Sequence, residues 1–235
     1  MPFVPTDAFD VVPQLDRRTL RDTVYEHLRD RLAVGSLSPG ERLSLRDIGS
    51  ALGVSVMPVR EAVNRLVAER ALEVTTARVL RVPLATPQML RDLADISVVV
   101  EGFAAERAAI LRTAAQLDAI EAAQSALHTL TATSAADPSE WIVMNRTLHF
   151  SIYRAARLPL LSKMIGDLWL RAGPVMNLDI RAGSQRHASA DAAECHATVV
   201  AAIRAQDPEG ARAAIARDIS GATAYIIGNS QWLTV

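Results

Sequence analysis

The side chains of this 235-residue chain best suited to chemistry are five histidines, one cysteine and a scatter of acids. Two of the histidines have surroundings that set them apart. Asn145 and His149 lie four residues apart, about one helical turn, so they point to the same side. Ile142, Phe150 and Tyr153 lie close on that helix, which turns the pair inward. His196 follows Glu194 and Cys195 in a segment whose apolar face is Val199, Val200 and Ile203. Asp218 stands twenty-two residues further on, among Ile215, Ile219 and Ala222. Neutral imidazoles and a carboxylate converging inside a helical bundle form a divalent-metal set. Kept apart, the same residues are ordinary core histidines, and spacing alone leaves both readings open. His27, His128 and His187 read as solvated or core residues, and the lone Cys195 excludes an internal disulfide or a CxxC site.

A second pattern lies upstream. Leu45-Arg46-Asp47-Ile48 and Val59-Arg60-Glu61-Ala62-Val63 are amphipathic segments joined through Leu52-Gly53-Val54-Ser55. Gly53 can take a left-handed turn, Val54 can fill the angle between two helices, and Ser55 can cap the second. This is the layout of a helix-turn-helix, whose second helix enters the major groove by its N-terminal end. An ordinary helical hairpin has the same spacing.

The elements that must carry these residues are helices. Leu20, Val24, Leu28 and Leu32 recur every four residues, with a capping signal at Thr19 and a stop at Gly35. Ser44 with Asp47 repeats the capping signal, and Val59, Val63, Leu66 and Val67 are expected to face a core. Short runs at Leu72–Thr75 and Val79–Pro83 suit a small hairpin. Beyond Pro87 the periodicity predicts six helices, near 87–112, 114–132, 138–157, 159–178, 185–205 and 208–229, with Asp137-Pro138 and Asp207-Pro208 as clear starts. The fold expected is mainly α: an N-terminal winged helix-turn-helix followed by an all-helical antiparallel bundle. The expected division is an arm at 1–16, a winged helix-turn-helix unit at 17–83, a linker at 84–87 and a helical unit at 88–229.

Composition agrees with helices: half the residues are hydrophobic but only 4% aromatic. No run of about 18 apolar residues suggests a membrane span, and the absence of a basic stretch in residues 1–16 argues for a cytoplasmic protein. The net charge is −1, yet between Arg17 and Val82 there are 12 arginines against 8 acids, a weak pointer to nucleic acid.

The stretch from Leu45 through Leu66, with Pro58-Val59-Arg60-Glu61-Ala62 at its centre, resembles the winged helix of GntR-type bacterial transcription regulators. The likeness covers 17–83 well and extends more loosely over 88–229, which looks like the all-helical FCD-type effector domain, in the six-helix, vanillate-regulator-like form. The resemblance implies DNA contacts at Arg46, Ser55, Met57 and Arg60, and a metal set at Asn145, His149, His196 and Asp218, with aspartate where the family usually has histidine. Zinc or nickel suits two imidazoles with oxygen ligands, and manganese also accepts such donors. It further implies a homodimer on double-stranded operator DNA and a small carboxylate-type effector.

Departures from the family pattern are Val56 in place of an arginine, Val79 in place of a wing glycine, Arg70 in place of a helix-ending glycine, and Ser97 in place of an arginine four residues before Glu101. Without an arginine at Ser97, Arg171, Arg181 or the metal itself must hold an acid. The reading is a ligand-responsive transcription factor, a repressor and not an enzyme. The alternatives are a non-haem-metal enzyme, since two histidines and a carboxylate also describe a facial triad, and a helical protein-binding adaptor. The residues that would bind the effector are unassigned from sequence.

Overall fold

The computed structural model describes residues 20–132, 137–184, 189–229 and 233. The expected arm, the capping Thr19 and His187 lie outside the described residues. Three helices come first: α1 (Leu20–Ala33), α2 (Leu45–Leu52) and α3 (Val56–Ala68). A two-stranded antiparallel hairpin follows, β1 (Glu73–Val74) and β2 (Leu80–Arg81), with Glu73 opposite Arg81. Its tight turn uses Arg78 at φ 60, and a bridge from Arg42 to Arg81 extends its outer edge. Six helices complete the described chain: α4 (Pro87–Leu111), α5 (Ala114–Ala132), α6 (Pro138–Ala155), α7 (Pro159–Arg181), α8 (Ala190–Ala205) and α9 (Pro208–Asn229).

Most of these boundaries have local causes. Ser44 caps α2 by accepting from the Asp47 amide, Thr86 caps α4 by accepting from Met89, and Asp137 caps α6 by accepting from Ser139. Pro87 and Pro138 stand in the first turns they open, where a missing N–H costs nothing. Gly53 ends α2 at φ 65, the left-handed turn expected of it. α3 ends in a Schellman motif: the Ala71 amide reaches the Leu66 carbonyl and the Arg70 amide that of Val67. Arg70 holds the left-handed position of that motif at φ 58, where glycine is the usual occupant.

Two departures from the expected pattern are local. Leu20 begins the first apolar stripe yet is exposed, and Tyr25 takes an inward place beside Val24. The Tyr25 hydroxyl donates to Glu69 and its ring carries the Arg65 guanidinium 3.6 Å above it, so α1 is tied to α3. Ser55 stands at the N-cap of α3 but makes no capping hydrogen bond with its side chain.

The N-terminal core is Val24, Leu28, Leu32, Val59, Val63, Leu66 and Leu72, and one further member comes from α7: Leu170, 1% exposed. That membership marks how the two halves join. A Cβ on Gly173 would sit 2.5 Å from the Ala33 carbonyl oxygen and 2.6 Å from that of Leu32, so only glycine lets α7 lie against the end of α1. Gly35, at φ 67, faces back onto Gly173 and Asn177. Around this contact the Asn177 amide donates to the Ala33 carbonyl, Arg181 to that of Val34, and Arg171 to that of Glu69. Arg29 pairs with Asp167 at 3.1 Å. Residues 84–87 are not a free tether, since Ala85 is buried with Leu90, Val175 and Ile226.

Two substitutions test this account. Arg70→Gly relieves a left-handed non-glycine residue and is expected to stabilise the fold by about 0.5–1 kcal/mol after the entropy of glycine is subtracted. Gly173→Ala is expected to destabilise by at least about 1–3 kcal/mol, since two backbone carbonyls must move. Urea unfolding measures both, and amide exchange at the end of α1 should accelerate in Gly173→Ala.

Candidate functional site

The expected histidines converge. α6 supplies His149, α8 supplies His196 and α9 supplies Asp218, whose candidate ligand atoms all lie within 4.8 Å of one another. His149 Nε2 is 3.4 Å from Asp218 Oδ2, and His196 Nε2 is 3.7 Å from Asp218 Oδ1. Ligands about 2.0–2.2 Å from a shared ion stand about 3.3–3.6 Å apart when tetrahedral; the 3.4 Å pair meets that spacing and the 3.7 Å pair lies just outside it. Both imidazoles are buried, 3% and 6% exposed. Asn145, one turn before His149, also lines the cavity, and its buried Oδ1 has no hydrogen-bond partner. An acceptor oxygen left bare beside two imidazoles and a carboxylate fits a fourth donor to a cation.

A polar chain behind the site fixes one ligand. The Tyr153 hydroxyl donates to Glu101 Oε2 at 2.5 Å and lies 2.9 Å from His149 Nδ1. A phenol has one proton, so with that proton on Glu101 the Nδ1 must be the donor, and the lone pair of His149 is left on Nε2, toward Asp218. Trp169 also donates to Glu101 Oε2, at 3.0 Å, and its ring stacks 5.3 Å from that of His149. Burial raises the Glu101 carboxyl above its ordinary value, while hydrogen bonds from Tyr153, Trp169 and Ser97 pull it back. Burial also raises the Tyr153 hydroxyl well above its ordinary value. It pushes the Cys195 thiol up to about 11. Of this chain, Tyr153 was legible as an inward residue one turn from His149. The use of Glu101 and Trp169 had no short-range signal.

The cavity around the site has a volume of about 110 Å³ and is walled by α4, α6, α7, α8 and α9. Ser97 lies in its wall, where the family pattern has an arginine. Arg171 and Arg181, offered from sequence as acid clamps, do not line it; their guanidinium groups are taken up by carbonyls of the N-terminal unit. His27 and His128 are exposed. α7 presents Gly173 and Asn177 to the cavity on one side and to α1 on the other, so the wall between the two units is one helix thick.

The second group of expected residues lies on the outer face of the N-terminal unit. Arg46, Ser55, Met57 and Arg60 are all exposed, Met57 at 64%. Among the described residues neither Arg46 nor Arg60 makes an ion pair; the intrahelical partners Glu61 and Asn64 do not engage Arg60. Val56, which replaces a family arginine, is half-buried. The Ser55 hydroxyl makes no cap bond, and the N-terminal amides of α3 add the positive end of a helix dipole.

Comparison with known proteins places these features. The sequence profile of bacterial regulatory proteins of the gntR family matches residues 20–82, and that of the FCD domain matches residues 92–221. The chain is 31% identical over 193 residues to the HTH-type transcriptional regulator McbR of Escherichia coli K12, spanning 82% of this chain and 86% of that protein. It is 29% identical over 133 residues to the HTH-type transcriptional repressor GlaR of the same organism, spanning 54% of this chain and 59% of that one. The solved structure of E. coli McbR/YncC superposes with a TM-score of 0.82 at 28% identity, covering 90% of this chain and 99% of the other.

The buried imidazole makes acid stability a test of the site. Burial, chiefly, holds His149 down to about 4 from the ordinary 6.5. Between those values the unfolded chain binds a proton that the folded chain refuses, so stability falls as pH drops through that window. In chelator-treated protein the loss from this group should approach roughly 3 kcal/mol, and His149→Gln should flatten that part of the urea-unfolding profile. Identical profiles for wild type and variant would count against a neutral, buried His149.

Proposed function

Because the chain belongs to the gntR family of bacterial regulatory proteins and carries an FCD domain, we propose that it is a ligand-responsive repressor. It binds operator DNA as a homodimer and is released by a small carboxylate-type effector. DNA binding through the helix-turn-helix and regulation of transcription follow from the family itself. The sign of regulation, the dimer, the metal and the effector are the proposed part. The relative GlaR is named a repressor, which supports the sign. Six described helices from α4 to α9 support the vanillate-regulator-like form of the effector domain. No described helix is long and apolar enough to cross a membrane, which fits a cytoplasmic regulator.

The working units are 17–83 for DNA and 88–229 for effector and dimer, with 84–87 between them. Arg46, Ser55, Met57 and Arg60 read the operator: the arginines suit guanine edges or phosphates, Ser55 a phosphate and Met57 an apolar base contact. Asn145, His149, His196 and Asp218 hold a divalent ion, zinc or nickel by donor type, with manganese also compatible. Such an ion, held by these residues, would supply positive charge to attract an acid group.

The homodimer draws support from α4. Ile96, Val99, Phe103 and Ile110 form one stripe along it, between 39% and 57% exposed. Two copies crossing antiparallel about Val99 and Phe103 would cover those two side chains with their symmetry mates.

The observation that carries the ligand response is the shared wall. Gly173 and Asn177 line the cavity and touch the end of α1, so a ligand that shifts α7 shifts the DNA-reading unit. Such a ligand acts only by its preference for one arrangement, and a coupling of about 1–3 kcal/mol is the ordinary size.

Fluorescence anisotropy with a DNA fragment from upstream of the chain's own gene tests the reading. Arg60→Ala should weaken specific binding at least about tenfold at fixed salt without lowering stability. His149→Ala combined with His196→Ala should remove the metal, as measured by elemental analysis, and blunt release by effector while leaving DNA affinity nearly intact. Retained release in a metal-free double variant would refute the metal's part in the response.

A further inference from the structure

The cavity is longer than its donor cluster. Along α4 its lining runs from Glu101, tied through Tyr153 to His149, back to Leu90, about 16 Å at 1.5 Å per residue. Along α7 it runs from Trp169, bonded to the same Glu101, to Met176 and Asn177, about 11–12 Å. The two helices therefore bound a slot with the histidines and Asp218 at one end and Leu90 with Met176 at the other.

The wall changes character along that slot. Beyond the donors it is lined by Leu90, Leu93 and Ala94 from α4, Met176 from α7, and Ile219 and Ala222 from α9. The polar groups in this stretch are largely occupied: Ser97 bonds to Glu101, and the Asn177 amide donates to the Ala33 carbonyl. Thr223 is the remaining hydroxyl among the described lining residues. Two acids, Glu101 and Asp218, already face the cavity.

We infer that the effector is a short monocarboxylic acid whose single acid group sits at the His149–His196–Asp218 end and whose unbranched apolar tail lies along Leu90, Leu93, Ala94 and Met176. A second carboxylate at the far end of that tail meets aliphatic carbon, with no Lys or Arg among the described lining residues, and its desolvation goes uncompensated. The volume sets the length. A cavity of about 150 Å³ admits the six carbons of benzene, so about 110 Å³ suits a tail of roughly two to four carbons. The tail end reaches Met176 and Asn177, the part of α7 that touches α1, so tail length and DNA release are read by the same residues. This inference rests on the metal-held acid proposed above.

The test is calorimetric titration of the full, zinc-loaded chain with straight-chain acids from acetate to octanoate, and with adipate as the diacid matched to hexanoate. Affinity should rise about three- to fourfold per methylene, the factor for burying one CH₂, and stop rising near pentanoate. Adipate should bind at least tenfold more weakly than hexanoate. Ala94→Leu should shorten the preferred acid, and Met176→Ala should lengthen it, with zinc content unchanged in both. Affinity independent of chain length, or adipate as tight as hexanoate, overturns the apolar-tail assignment even where zinc and acetate bind. The same chain-length trend in zinc-free protein upholds the tail assignment and overturns the metal as the acid's anchor.

Discussion

The end of α1 and the middle of α7 meet backbone to backbone, and the rest of the molecule is arranged around that approach. Gly173 has no side chain because the carbonyls of Leu32 and Ala33 occupy the space a Cβ needs. With the helices this close, Leu170 reaches the core of the N-terminal unit, and the Asn177, Arg171 and Arg181 side chains can satisfy carbonyls at the ends of α1 and α3. Those carbonyls are orphans of helix termini and turns, and in other settings they would face water. The joint is thus a satisfied interface, and Ala85 of the segment between the two units is buried beside Leu90, Val175 and Ile226.

The same helix bounds the cavity, and that gives the interior its second constraint. A bundle that buries two imidazoles, a carboxylate and an amide must compensate them or lose stability. Part of the compensation is internal: Tyr153 joins His149 to Glu101, and Trp169 adds a second donor to the same carboxylate. Asn145 Oδ1 is left bare. That bare acceptor lies beside imidazoles carried by α6 and α8 and a carboxylate carried by α9, so the donors of the site come from three helices.

α4 shows how one helix can serve several surfaces. Its buried face, with Ala104, Ala105, Ala108 and Ala109, uses small residues to bring neighbouring helices close. A second face lines the cavity from Leu90 to Glu101, and a third leaves Ile96, Val99, Phe103 and Ile110 in solvent. A helix apolar on so many sides yields a weak amphipathic signal, so its sequence announces a helix without saying which face meets what.

That distinction runs through the whole chain. Features set by a few neighbouring residues were legible in the sequence: the proline and cap starts at Asp137-Pro138 and Ser44, the break at Gly53, the hairpin after Arg70, and the Asn145–His149 pair on one helical face. The six-helix sequence of the second half follows from the same short-range rules, because caps, breakers and periodicity act within one or two turns. The tertiary structure decided everything that required distant segments to meet. It turned Leu20 outward in favour of Tyr25, left Ser55 without its side-chain cap bond, and drew Arg171 and Arg181 away from the cavity to the carbonyls of the N-terminal unit. It brought Glu101 to Tyr153, 52 residues away in sequence, and to Trp169, 68 residues away. Asp218 shared a pattern with the histidines on paper, but its distance from them is a property of how α9 packs. Local sequence chooses which side chains a helix offers, and only the packing of helices against one another determines which of those offers are met.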